Sequence, residues 1–170
     1  MSYKWMGAIF IVLGCGGFGF LIASASKKEE KYLRELYEAI TFMTAELQYR
    51  LTPLPELISR AAVYTSGTLW SVFSALDREL VGQVAPNAEE CMKQALEKTE
   101  SVPVLTGNAL RLLGRSLGKF DLDGQISGLT MVKEACGENL QRLAKDQRER
   151  LRSYRTLGVC AGIALAILLI

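Results

Sequence analysis

Leu113-Gly114-Arg115-Ser116-Leu117-Gly118-Lys119-Phe120-Asp121, with the run that follows it to Ile170, decides the reading of this chain. Two glycines and an aspartate read as a turn that closes one helix and caps the next. Beyond it, apolar side chains recur at Ile126, Leu129, Val132, Cys136, Leu140 and Leu143, the three-and-four spacing of one helical face. The same pattern then meets Lys145, Arg148, Arg150, Arg152 and Arg155, opposed only by Asp146 and Glu149, and ends in an uncharged apolar tail. A helix that starts as a core element and finishes in lipid would tie the domain to a bilayer.

Working outward, 170 residues fit one modest domain plus membrane segments, and an apolar share of 49% is high for a wholly water-exposed chain. Mean hydropathy is +0.16, with the apolar surplus at the two ends. Twenty basic against 18 acidic residues leave a net charge of +2, too small a field for a nucleic-acid binder. The chain has no histidine, which removes the commonest general base, the Ser-His and Cys-His pairs and the commonest metal ligand together. Cys15, Cys91, Cys136 and Cys160 show no metal-ligand spacing and read as reduced, packed thiols in a reducing compartment, the alternative being a disulfide.

From Trp5 to Ala25 there are 21 residues without a formal charge, a helix of about 31 Å against a hydrocarbon core of about 30 Å. Lys4 precedes the run, and Lys27, Lys28, Lys31 and Arg34 follow it. Ala23-Ser24-Ala25 imitates a signal-peptidase site, but the lysines beyond it resist export, so a retained anchor over 3–26 is the expectation. Cys15, Gly19 and Ala23 form a four-residue small stripe where another membrane helix can pack; the plainer reading is glycine tolerated in lipid.

The middle, 27–153, is expected to be a bundle of six helices without a sheet, because no stretch sustains period-two alternation. Ser26 is expected to cap the first, which carries Leu33, Leu36, Tyr37, Ile40, Met43, Leu47 and Leu51 on one face. Thr52-Pro53-Leu54-Pro55-Glu56 breaks it and starts a second, reaching Tyr64. Leu69, Val72, Phe73, Leu76 and Leu80 mark a third. Asn87 with Glu90 forms a capping box for the fourth, Pro103 and Gly107 bracket the start of the fifth, and Asp121 caps the sixth. Tyr37, Tyr49 and Trp70 are expected in the core or at its rim; the alternative is that they are interface anchors.

No phosphate-binding glycine loop, dinucleotide fingerprint or nucleophile elbow occurs, so no catalytic, cofactor or metal residue is assigned. The pair Asp121 and Asp123 suits a helix N-terminus better than a metal.

Leu157 to Ile170 is 14 residues, about 21 Å of helix, short for a full span unless the bilayer thins or Arg155 snorkels. Gly158, Gly162 and Ala166 form a second small stripe, opposite in chain direction to the first. A membrane or membrane-inserted helix is therefore expected over 154–170. Lys27, Lys28, Arg148, Arg150, Arg152 and Arg155 form a collar at the inner flanks, which places the middle on the cytoplasmic side of a cell membrane; the alternative is a solvated, ion-paired helix face.

Thr52-Pro53-Leu54-Pro55-Glu56-Leu57, the run from Leu113 to Asp121 with Gln125 one turn on, an apolar N-terminus and a basic-then-apolar C-terminus together resemble the stage III sporulation protein AB family over nearly the whole chain. Its most specific part lies at Gly114, Leu117, Gly118, Asp121 and Gln125, read as turn and cap positions. The resemblance implies a cytoplasmic helical domain similar to those of the inner-membrane platform proteins of type II secretion and type IV pilus machines. It further implies a place in the secretion-like complex between mother cell and forespore and contact with that complex's cytoplasmic ATPase and other integral membrane subunits. The lack of a catalytic set of residues leads to the expectation of no enzymatic activity, which a pocket with paired carboxylates would reverse. Platform proteins usually carry the domain twice, so a homo-oligomer is expected. A membrane-tethered sensor or adaptor binding a small ligand between its helices is the competing expectation, recognisable by a roomy apolar pocket.

Overall fold

The computed structural model describes the backbone of residues 2–82, 85–118 and 121–169, and side chains within 25–149 of that set. Its elements are six α-helices in the order α1 (Ser2–Arg50), α2 (Leu54–Ala61), α3 (Gly67–Val81), α4 (Ala88–Glu97), α5 (Val104–Ser116) and α6 (Leu122–Leu169), with a 3-10 turn at Ala62–Tyr64 and no strand among the described residues.

The first helix corrects one expectation. Ser26 is no cap but an interior residue of α1, which passes through it unbroken. A serine caps a helix only where the chain leaves helical geometry, and the Lys and Glu that follow are good helix formers. The break comes at Leu51, φ 52°, where Thr52 stands before Pro53 and is held out of the helical region. Leu51 therefore does not extend the apolar face. It is 66% exposed.

Local chemistry sets the remaining boundaries. Pro55 lies in the first turn of α2, where its missing N–H costs nothing. Asn87 Oδ1 accepts from the Glu90 amide at 2.9 Å, but the Glu90 carboxylate turns to Lys93 instead of back to Asn87, so only half of the expected capping box forms. Asp121 Oδ1 accepts from the Gly124 amide at 3.1 Å and starts α6.

The long helices α1 and α6 pack against one another, and α5 packs on both. On the far side α2 and α3 pair with each other, α2 against α1 and α3 against α4, and α4 against α5. Leu33, Leu36, Ile40 and Met43 of α1 meet Leu57, Ile58, Leu69, Phe73, Leu76, Met92, Leu110 and Leu113 in one core that water does not reach. From α6, Leu129, Val132 and Cys136 are fully buried, while Ile126, Leu140 and Leu143 pack at its edge. Each buried Leu, Ile or Phe contributes about 1.5–3 kcal/mol of transfer free energy, which makes this apolar stripe the dominant stabilising term.

Tyr49 and Trp70 are not core or rim residues but stand 84% and 53% exposed, and Tyr37 lies at the surface under the Lys133 ammonium, 5.0 Å from its ring centroid. Their helical phase puts them off the apolar stripe, and aromatic type alone does not bury a residue.

Candidate functional site

Three side chains of α1 at intervals of three residues hold the start of two other helices. Glu29 accepts from the amide and the hydroxyl of Thr106, both at 2.8 Å. Tyr32 Oη accepts from the Thr68 amide at 3.2 Å, and Glu35 accepts from the amide and hydroxyl of Ser66 at 2.9 and 2.7 Å. Neither α3 nor α5 has a capping side chain of its own, since Ser66 gives its hydroxyl to Glu35 and the residue before α5 is Pro103. The Ser66 and Thr68 amides at the start of α3 and the Thr106 amide at the start of α5 are thus satisfied from α1, with carboxylates at the positive ends of the helix dipoles. Hydrogen bonding from Thr68 holds the Tyr32 phenol below its ordinary pKa against the opposing effect of burial, with Lys28 and Lys31 adding to the lowering. Sequence reasoning missed this clamp. Its signal was present in two helices beginning without caps and three acceptors flanking the apolar stripe of α1.

Farther along α1, Glu46 joins the Thr52 hydroxyl at 2.9 Å to Arg50 and Arg60, pinning the Thr52-Pro53 turn. In α3, Glu79 falls in phase with Val72, Phe73 and Leu76 and is buried. One carboxylate oxygen meets the Lys98 ammonium; the other has no partner among the described residues.

The residues of the Gly114–Gln125 motif separate into different roles. Gly114 lies inside α5, not in the turn: a Cβ there would stand 2.6 Å from the Met92 Cβ, so this glycine lets α5 and α4 touch. Leu117 is fully buried. Gly118 has φ 73°, the left-handed region that glycine enters without strain, and rests against Leu54 and Ala88. Asp121 caps α6, and the Gln125 amide closes that first turn on the Asp121 carbonyl. The turn at Gly118 therefore sits beside the Pro53-Leu54-Pro55 break, so the two motifs meet at the end of the bundle where α1 finishes and α6 begins.

At the other end, Gln147 Nε2 donates to Glu30 Oε2 at 3.3 Å, which brings Lys27 and Lys28 level with Arg148, all three exposed. Arg150, Arg152 and Arg155, and the stripes Cys15-Gly19-Ala23 and Gly158-Gly162-Ala166, lie outside the residues whose side chains are described. Among the described residues no helix is long and apolar enough to cross a membrane.

Chemically reactive groups are few in the described region. Cys91 and Cys136 are free and buried. Burial pushes the Cys91 thiol up and the Cys136 thiol up to about 12. No group of three His, Cys, Asp or Glu residues that could hold a metal ion occurs among the described residues. Among the described residues, open concave surfaces lie between α2 and α3, where α3 meets Lys98-Thr99-Glu100, and around Ser101 to Arg111.

The profile of stage III sporulation protein AB matches residues 4–170. The chain belongs to that family. Stage III sporulation protein AB of Bacillus subtilis (strain 168) is 27% identical over 173 residues, covering 98% of each chain. A solved structure of a stage III sporulation protein AB superposes with a TM-score of 0.60 at 22% identity, over 69% of this chain and 94% of that one, a likeness of fold. Membership in the stage III sporulation protein AB family carries with it a role in stage III of sporulation.

Proposed function

We propose that the protein is a non-enzymatic membrane platform in the secretion-like complex built between mother cell and forespore, standing in the mother-cell-side membrane with its bundle in the cytoplasm. The observation that carries this reading is the antiparallel seam of α1 and α6, joined by Glu30 and Gln147, which sets Lys27, Lys28 and Arg148 at one level of one end. Both helices continue past that level into the apolar ends of the chain, so the collar marks the bilayer surface and segments 3–26 and 154–170 are its two legs. With both legs at one end, the bundle's sides and its far tip are left for partners: other integral membrane subunits, a second copy, and the cytoplasmic ATPase of the complex. The filled core and the open, partly polar surface grooves support a protein-contact role over a ligand sensor, which needs an enclosed apolar pocket.

Pull-down of the ATPase by the detergent-solubilised full chain tests the reading. Binding that is lost when exposed charges are scrambled, with helix content intact, is the expected result. Absence of binding with ATP, ADP or no nucleotide would remove the platform reading.

A further inference from the structure

Between α2 and α3 runs a groove lined by Ser59, Ala62, Trp70, Ser74, Asp77 and Arg78. Trp70 stands 53% exposed at its edge, and Val63 in the neighbouring 3-10 turn is 82% exposed. Nothing in the described part of the chain covers them. A tryptophan in water forgoes the largest burial gain of any side chain, and at protein interfaces it is the residue type most often found carrying the affinity. The serine and alanine walls are small enough for a bulky ring to approach the backbone.

Ion pairs neutralise several of the charges elsewhere on the bundle. Glu30 pairs with Arg34, Glu46 with Arg50, Glu56 with Arg60, Glu89 with Arg115 and Glu90 with Lys93. Asp77 and Arg78 line the same groove and form no ion pair among the described residues; Arg78 only turns its Nε onto the Ser74 carbonyl of its own helix, at 3.2 Å. One unpaired anion beside one unpaired cation is a surface complementary to itself. A two-fold axis through the groove would bring Asp77 of each copy to Arg78 of the other and each Trp70 into the opposite groove, the reciprocal pattern of an isologous contact.

We propose that the α2–α3 groove is the face through which two copies of this chain associate, seated by Trp70 and set in register by Asp77 and Arg78. The proposal rests on the homo-oligomer part of the platform reading and names its surface. The face lies on the side of α2 and α3, away from α6, which packs on α1 and α5. A two-fold axis along the membrane normal therefore joins two bundles side by side and leaves both pairs of legs in one bilayer.

The test is the mass of the full chain in detergent, by sedimentation velocity over a concentration series, with helix content by circular dichroism as the folding control. The wild type is expected to dimerise, and W70A to weaken the dimer by about 30-fold or more. D77R and R78D each set like charges face to face and are expected to weaken it by about tenfold or more, while D77R/R78D exchanges the charges and restores it. A wild type that stays monomeric removes the homo-oligomer reading altogether. A dimer indifferent to W70A and to both single reversals overturns this surface alone, and a double variant no tighter than the single ones overturns the charge register.

Discussion

The Glu29 carboxylate reaches across 77 positions of sequence to accept both the amide and the hydroxyl of Thr106, each at 2.8 Å. One side chain of α1 thereby supplies the cap that α5 does not possess. Thr106 is 1% exposed, so without Glu29 two donors would lie buried and unpaired.

Replacing Glu29 by alanine is expected to destabilise the protein by about 1–3 kcal/mol, the range for a lost cap and a stranded donor. Denaturant unfolding of E29A, T106V and the double variant measures it. The double change should cost clearly less than the sum of the single ones, and strict additivity would mean that the bond from the Thr106 hydroxyl, the part of the contact that T106V removes, stabilises nothing.

Two helical glycines should respond in opposite directions. At Gly114 a Cβ would meet the Met92 Cβ at 2.6 Å, so G114A is expected to cost about 1–3 kcal/mol through overpacking. At Gly137 a Cβ meets nothing within 4 Å, and G137A should stabilise by up to about 1 kcal/mol through helix propensity. Thermal melts of the two variants in detergent decide; equal shifts would contradict the tight α4–α5 contact.

The buried Cys136 thiol should make the fold sensitive to alkali. Its pKa is raised by burial to about 12 from an ordinary 9.0, so the folded state favours the protonated thiol. That contribution is complete below pH 9 and is lost as pH rises from 9 toward 12, at no more than about 1.4 kcal/mol per pH unit. Denaturant midpoints measured from pH 8 to 11 should fall for the wild type and fall less for C136A. Parallel curves would show that another group sets the alkaline limb.

Leu51 combines φ 52° with 66% exposure, so a branched side chain occupies a left-handed position with little burial in return. L51G is expected to raise the melting temperature by a few degrees, corresponding to about 1 kcal/mol of relieved strain less the extra chain entropy of glycine. A fall in melting temperature would mean that the side chain packs where the structure shows it exposed.

Local sequence pattern determined that the described chain is all-α, that its breaks fall at Thr52-Pro53, near Gly67, before Asn87 and before Asp121, and which leucines face inward, Leu51 excepted. Each of these rests on neighbours a few residues apart, through a proline without an N–H, an aspartate that caps its own helix, or a stripe at spacing three and four. Tertiary structure alone decided what depends on the approach of distant segments. Ser26 could not be told from a cap until α1 was seen to pass through it, and Gly114 read as a turn because nothing in its own sequence names Met92 as its neighbour. The same holds for the caps that Glu29, Tyr32 and Glu35 lend to α5 and α3, and for the exposed Trp70. Burial and hydrogen bonding between helices are settled by their relative placement, which the periodicity of one helix does not encode.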